Sequence, residues 1–422
     1  MWHCFPTFSA PILPRGKPRA VVQSVVFGLM SLPLSLQATT LESEFTGLVT
    51  LEQKVFFSDG LFMEQANQQA SIFIEPELYI EWNDANDSVL FKPFARWDEQ
   101  DSERSHIDIR ELLWTHVGDD WEFRAGVGRV FWGQTESQHL VDVINQTDAV
   151  EAIDGEDKLG QPMLNMQWIK DWGTVSAFVL PYFRERTFAG EAGRLRAPLP
   201  VAIDDPIYES GSEQRHVDWA LRWSHSLDIW ELGVAYFDGT SREPVLVPSA
   251  FEHNGAEPEL QLRPMYLQMQ QWGVDVLAVV DAWLLKFEGI HRETSQDQFW
   301  AMTTGFEYTL VGVFESFVDV GVLMEYQYDE RGVAATSTGQ NDLMLGTRIA
   351  LNDADGTEIL LGLVQDLDYG NSRSGFIEAS SRINDYWKWR VDAWFFQPSE
   401  PQELSYTIRK DDYIQLSIER YF

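Results

Sequence analysis

The sequence predicts an all-β fold: a transmembrane antiparallel up-and-down β-barrel of about eighteen strands, with a cleaved signal peptide at its N-terminus. Three observations predict this fold. From Phe45 onward, apolar and polar residues alternate with period two. After the N-terminal segment, no run is long and apolar enough for a membrane-spanning helix. Short turns also alternate with long connections, which is typical of a barrel whose two ends differ.

Residues 1–38 have the pattern of a signal peptide. Arg15, Lys17 and Arg19 precede the apolar run AVVQSVVFGLMSLPLSL, and Ala38 supplies a small residue for cleavage. We therefore expect the chain to leave the cytoplasm, with residues 39–422 forming the barrel. The single cysteine, Cys4, lies ahead of the apolar run, which argues against a lipid anchor and leaves the barrel without a disulfide.

The alternating runs define eighteen candidate strands. In SIFIEPELYIEW, for example, Ile72, Ile74 and Leu78 share one face, while Glu75 and Glu77 share the other. The candidate strands are 44–52, 71–82, 88–97, 106–115, 121–131, 163–168, 173–183, 216–223, 229–237, 262–270, 276–287, 299–309, 317–327, 342–351, 358–365, 376–383, 387–396 and 413–422.

The connections between these strands alternate in length. Short segments rich in Asn, Asp and Gly, such as NDAND, VGDD, WGVD and NDADGT, are typical of tight turns. Longer acidic connections, such as 132–162 and 184–215, fall between them. A sheet in a bilayer must close so that no backbone group stays unpaired. A secreted sandwich or propeller would also show alternating strands, but it gives no reason for the regular alternation of turn length.

The signal segment, the eighteen-strand pattern and the final residues IERYF together resemble Gram-negative outer-membrane porins. The resemblance covers the mature chain as architecture. It implies a place in the cell outer membrane and a final strand, with Leu416, Ile418 and Phe422, that the barrel-assembly machinery recognises. The resemblance does not show which subfamily the chain is most similar to, the 18-stranded substrate-specific porins or the alginate-export-like channels.

Charged residues on the face opposite the apolar one are expected to line the lumen, because an Arg near the bilayer midplane costs about 2 to 4 kcal/mol. They could pair across strands, or the basic ones could form a ladder that guides charged solutes. The predicted pore-lining basic residues are Lys92, Arg96, Arg110, Arg124, Arg222, Arg348, Lys388 and Arg390.

The connection 132–162 is the least strand-like part of the mature chain. Leu140, Val143 and Ile144 lie at helical spacing, so a short amphipathic helix is expected there. In general porins the third external loop folds inward and narrows the pore, and the resemblance implies the same for this segment. The alternative is an external lid or an oligomer contact. Its predicted constriction residues are Asp142, Asp148, Glu151, Asp154, Glu156 and Asp157.

These features predict a passive channel for small hydrophilic, charged solutes. The formal net charge of −35 opposes nucleic-acid binding. The scattered histidines show no cluster with Ser or acid, so no catalytic residue, resident metal or cofactor is predicted, although divalent cations could bridge external carboxylates to lipopolysaccharide. Lipid is an expected partner and an oligomer is compatible with the sequence. A structural or adhesive barrel with a plugged lumen shares every strand signal, and an outer-membrane hydrolase is the weaker alternative.

Overall fold

A computed structural model describes residues 41–251 and 259–422 and shows a closed barrel. Eighteen strands form one sheet, and the strand Glu42–Phe56 pairs antiparallel with the strand Tyr413–Tyr421 to close it. The predicted fold class, an all-β antiparallel barrel of eighteen strands, is therefore confirmed. The predicted signal peptide, residues 1–38, lies outside the described residues. Among the residues described, no helix has the length and apolar character needed to cross a membrane.

Residues 41–251 and 259–422 contain twenty-one strands, numbered in chain order, of which β8, β11 and β12 lie outside the barrel. The strands are β1 (Glu42–Phe56), β2 (Gln68–Trp82), β3 (Asp87–Asp98), β4 (Ile107–Val117), β5 (Trp121–Gly128), β6 (Gln161–Lys170), β7 (Gly173–Leu180), β8 (Ile207–Tyr208), β9 (Asp218–Leu227), β10 (Trp230–Thr240), β11 (Val245–Phe251), β12 (Glu259–Tyr266), β13 (Gln268–Val280), β14 (Trp283–Thr294), β15 (Gln298–Leu310), β16 (Asp319–Asp329), β17 (Asn341–Ala350), β18 (Glu358–Asp366), β19 (Arg373–Asn384), β20 (Trp387–Gln397) and β21 (Tyr413–Tyr421).

The two ends of the barrel differ. At one end, here the short-turn end, tight connections such as 83–86, 171–172 and 281–282 join neighbouring strands. The other end, here the long-loop end, carries the long connections. Two of these, 181–217 and 241–267, contribute a small sheet in which β12 pairs antiparallel with β11 and parallel with β8.

The two faces of each barrel strand differ in the way that a membrane requires. In β21, Ile414 and Leu416 point outward and are 39% and 47% exposed, while Tyr413, Ser417 and Glu419 point inward and are buried. The same alternation places exposed apolar side chains around the outside of the barrel. The outer surface is therefore an apolar band, and the inner surface carries the charged residues together with apolar clusters on part of the wall.

The seam between β1 and β21 is closely packed. Leu51 lies opposite Ile418, and Gly47 and Phe422 exchange two backbone hydrogen bonds of 3.1 and 3.0 Å. The Phe422 ring lies 5.8 Å from that of Phe45. A Cβ atom at Gly47 would come within 2.7 Å of the Phe422 ring and of the Pro76 Cα. Glycine is therefore required where these three strands meet.

The expected turn at 272–275 is wrong. Residues 268–280 form the single strand β13, and the tight turn follows it at 281–282. Accordingly, the predicted strand 262–270 is divided between β12 and β13, and the predicted strand 276–287 contains the true turn. Gly273 and Asp275 gave the segment a turn-like composition. Both point into the lumen, where Gly273 makes room for Val141 and Asp275 pairs with Arg222.

Candidate functional site

The connection between β5 and β6, residues 129–160 and here called the inner loop, lies inside the barrel. Its Glu151 forms an ion pair of 2.5 Å with Arg96 of β3, and its Glu136 forms one of 2.8 Å with Arg348 of β17. Since β3 and β17 lie in separate parts of the barrel wall, the inner loop crosses the lumen. The expected amphipathic helix is wrong: the segment consists of turns and one isolated bridge between Thr147 and Lys158.

Apolar side chains hold one side of the inner loop against the wall. Trp132, Val141, Val143 and Ile144 are buried in one cluster with inward-facing residues of β6, β7, β9, β10 and β13 to β15. Full burial of such side chains contributes about 1.5 to 3 kcal/mol each. The spacing that suggested a helix therefore reflects an irregular chain packed on an apolar sector of the lumen wall.

Two wall carboxylates bind the backbone of the inner loop. Glu288 of β14 accepts hydrogen bonds from the amides of Gln134 at 2.6 Å and Thr135 at 3.0 Å, and from the Thr135 hydroxyl at 2.8 Å. Glu325 of β16 accepts bonds of 2.8 Å from the amides of Glu136 and Ser137. These backbone amides lie outside secondary structure and have no backbone acceptor among the described residues, so the two carboxylates satisfy them. The bonds therefore fix the part of the loop around residues 134–137.

A third attachment lies near the middle of the loop. Arg242, which follows β10, donates to the carbonyl of Ile144 at 3.0 and 3.2 Å and pairs with Asp218 at 2.8 Å. The Asn145 side chain donates to the carbonyls of Gly128 and Leu159. These contacts join the start, middle and end of the loop, so it is a folded unit.

The tip of the loop is bound by a charged cluster on β1 to β4. Arg96 contacts Glu52 and Glu151, each at 2.5 Å. Arg104, in the connection after β3, contacts Glu52 at 2.9 Å and Asp98 at 2.7 Å and donates to the Val150 carbonyl. Every charge in this cluster has an opposite charge beside it, which is the condition for burying ions.

One group in the described parts of the chain has the composition of a metal site. His106, Asp148 and Glu151 bring ligand atoms within 4.8 Å of one another. Their carboxylates, however, already bind guanidinium groups, Asp148 that of Arg110 at 2.7 Å and Glu151 that of Arg96. The donor set therefore fits an ion-pair network, and no metal chemistry is assigned to it.

Most of the predicted pore-lining basic residues point into the lumen with acidic partners beside them. The observed pairs are Lys92 with Glu75 and Glu77, Arg96 with Glu52 and Glu151, Arg110 with Asp108 and Asp148, Arg124 with Glu122, Arg222 with Asp275, Arg348 with Glu136 and Glu307, and Arg390 with Glu419. For Lys388 no ion pair is found within the described ranges. The basic side chains are therefore largely neutralised in place.

The predicted acidic residues of the inner loop divide into two sets. Asp142, Asp148, Glu151 and Glu156 are held by Lys158, Arg110, Arg96 and His139, respectively. No ion pair involves Asp154 or Asp157 among the residues with described positions. Burial and the carboxylates of Glu151 and Asp154 raise the pKa of Asp157 to about 7. Asp154 and Asp157 therefore form the uncompensated edge of the loop.

His139 carries a charge inside the loop. Burial alone would lower its pKa, but the carboxylates of Glu156, at 2.6 Å, and Glu288, at 3.8 Å, raise it to about 10. The protonated imidazole thus joins the loop to the wall at neutral pH.

The edge of the loop, residues 151–158, faces the wall of β20 and β21, where Ile153 packs beside Phe396 and Tyr413. Residues 151–158 are all partly exposed, in contrast to the buried Val141 and Ile144. The inward-facing residues of the nearby wall include Glu378, Lys388, Arg390 and Asp392. Charged side chains of the loop, such as Asp154, therefore act on charged side chains of this wall, Glu378 and Asp392.

A separate cavity of about 370 Å³ lies toward the short-turn end. Its lining includes Gln134 of the inner loop, Arg222, Asp275, His225 and Glu231. It is polar, so water can occupy the lumen below the loop.

Two residues that fix the loop were not singled out as such from the sequence. Neither Glu325 nor Glu288 is among the predicted site residues, and Glu288 falls in the predicted connection that follows the strand 276–287. The signal that could have found Glu288 is the unbroken alternation of outward Trp272, Val274 and Val276, which carries β13 through the apparent turn.

Neither a protein-family model nor a curated protein sequence matches this chain. Solved structures of similar architecture include OmpT, an outer-membrane protein of Vibrio cholerae, in its trimer form. It is 8% identical over 90% of this chain and 99% of that chain, with a TM-score of 0.46. A variant of the Rh. blastica porin is 9% identical over 90% of this chain and 100% of that chain, with a TM-score of 0.45.

Proposed function

We propose that this barrel is an outer-membrane channel of the porin type, through which small hydrophilic, charged solutes diffuse passively. One observation carries the proposal. The inner loop packs its apolar side chains on the β6 to β15 side of the wall. Its opposite edge, residues 151–158, lies in the lumen and carries Asp154 and Asp157, for which no ion pair is found among the described residues. A loop built only to fill the barrel would have no reason to concentrate carboxylates at this edge.

The outer surface supports the membrane location. Exposed apolar residues such as Ile72, Leu221 and Leu345 surround the barrel, while inward positions on the same strands carry charge. Closure leaves no sheet edge for lipid to meet. On this basis we propose lipid, lipopolysaccharide and the barrel-assembly machinery as partners. We also propose that divalent cations bind the exposed carboxylates of the long-loop end and that the barrel associates with copies of itself.

A plugged, structural barrel is the second candidate. The ion pairs of Glu151 with Arg96 and of Glu136 with Arg348 favour it, because they hold the inner loop on two sides of the wall. The two candidates differ in one property, whether ions cross the folded protein.

Recordings of purified protein in planar bilayers test the proposal. We expect stepwise, ohmic conductance from protein whose electrophoretic mobility changes on heating, as expected for a folded barrel. Absence of conductance from such protein would favour the plugged barrel. Lipid or peptide hydrolysis by the same preparation would favour an enzyme.

A further inference from the structure

A pair of like charges stands directly across two strands on the lumen wall. Glu378 of β19 lies opposite Asp392 of β20 in the sheet register, and both side chains point inward. Directly opposite residues have Cβ atoms about 4.5 to 5.5 Å apart, and two like charges at that separation destabilise a sheet. The repulsion within such a pair must be offset by a third group that neutralises or hydrogen-bonds the carboxylates.

One other lumenal pair of this kind has that compensation. Asp275 and Glu288 also lie opposite each other, on β13 and β14. There, Arg222 binds Asp275 through two bonds of 2.6 and 2.8 Å, and amides of the inner loop bind Glu288. This pair shows how the barrel neutralises adjacent carboxylates when its own residues do so.

Glu378 and Asp392 lack such partners. Neither takes part in an ion pair within residues 41–251 and 259–422. Glu378 is only 4% exposed, and its Oε2 atom is buried without a hydrogen-bond partner. An unpartnered carboxylate oxygen in a buried position is costly unless another species, such as water or a cation, fills the place beside it.

Charges of both signs act on the pair, and Arg390 is the one with the largest effect on Asp392. Asp154 of the inner loop acts electrostatically on both carboxylates and has no ion pair of its own among described groups. The basic group nearest along the strand, Arg390, already pairs with Glu419 at 3.5 Å. Lys388 lies two residues further along the same face, and Lys54 sits over the Tyr413 ring at 4.5 Å.

We propose that Glu378 and Asp392 form a binding site in the lumen for a monovalent cation, either an alkali ion or the ammonium group of a solute. This inference rests on the proposed channel function and narrows it: cations bind briefly between the loop edge and the β19–β20 wall and then move on. In a channel, such a site must be favourable enough to enter and weak enough to leave. The passage would then prefer cations, although basic side chains also line it.

The reversal potential in a KCl gradient tests the ion preference. We expect the wild-type channel to select K⁺ over Cl⁻ and the Glu378→Gln, Asp392→Asn double variant to lose about threefold or more of that selectivity, since each removed charge lies next to the ion. Glu122→Gln is the matched control, because its lumenal carboxylate is already paired with Arg124. Ethylammonium chloride in place of KCl separates an alkali-ion site from an ammonium site.

A second measurement does not depend on conduction. The midpoint of thermal unfolding in detergent is compared in KCl and in N-methylglucamine chloride, whose cation is bulky. We expect K⁺ to stabilise the wild type more than the double variant, and the double variant to exceed the wild type in N-methylglucamine, because the repulsion is gone. Equal responses of wild type and double variant would overturn the site. A folded wild type that does not conduct would overturn the channel proposal. The unfolding comparison would still show whether the cation site exists.

Discussion

Arg96 of the barrel wall and Glu151 of the inner loop form an ion pair of 2.5 Å in which both side chains are almost fully buried. The same guanidinium also binds Glu52 and lies 4.4 Å from the centre of the Phe73 ring. One wall residue therefore fixes the loop tip to β1, β2 and β3 together, and the position of the tip determines the width of any passage beside it.

Replacing Arg96 with Gln should destabilise the barrel markedly. The change leaves buried Glu151 with only the more distant His106, at 3.8 Å, and Glu52 with only Arg104. Breaking a buried pair in this way costs about 3 to 5 kcal/mol. Denaturant unfolding in lipid vesicles measures the loss. Lys92→Gln is the control, because the pair of Lys92 with Glu75 is more exposed and should cost no more than about 1 kcal/mol. Equal losses in both variants would contradict a special role for Arg96.

Replacing Glu288 with Ala should loosen one arm of the inner loop. The variant leaves the amides of Gln134 and Thr135 without their acceptor, and each unsatisfied buried donor costs about 1 to 3 kcal/mol. Hydrogen–deuterium exchange should therefore accelerate in residues 133–142 while β14 itself stays protected. Glu122→Ala serves as the control in the same lumen. Unchanged exchange in this arm would show that the apolar packing alone holds it.

The attachment through His139 should weaken in alkali. Its pKa in the folded protein, about 10, lies above its ordinary value, so the proton stabilises the folded loop fully below the ordinary pKa. This stability is lost progressively as pH rises toward 10. Channel noise should therefore increase between about pH 8 and pH 10 in the wild type. The His139→Gln channel should show high current noise at every pH, and its noise should change less than that of the wild type over this range. If the variant and the wild type had identical pH profiles, the effect would belong to other groups.

The seam should be sensitive to the size of residue 47. In Gly47→Ala the new methyl group would meet the Pro76 Cα and the Phe422 ring at 2.7 Å, and the backbone cannot yield without losing register. We expect a loss of about 1 to 3 kcal/mol or more, by analogy with overpacked cores. Gly370→Ala is the control, because no atom lies within 4 Å of its added methyl group. The readout is the folded fraction that resists heating before electrophoresis.

The barrel was predictable because membrane physics acts on every strand. Alternating faces and the contrast between turn lengths both appear in the sequence, and the nine residues of β21 show the alternation clearly. The inner loop was less predictable. Val141, Val143 and Ile144 pack on a wall distant in sequence, so local spacing suggested a helix where tertiary contacts impose an irregular path. The ion-pair partners of the basic residues, such as Glu136 for Arg348, depend on the path of the loop. They could not be predicted from the pairing of neighbouring strands.

The most direct test of the account is the single-channel conductance of a barrel without its inner loop. Gly128 lies opposite Gln161 at the base of the loop, so a short Gly–Ser turn can replace residues 130–159 and keep the β5–β6 hairpin. We expect the wild type to conduct and the loop-replaced barrel to conduct severalfold more, because the passage beside residues 151–158 is the narrow point. An unchanged conductance in the folded variant would place the constriction elsewhere and contradict the central claim.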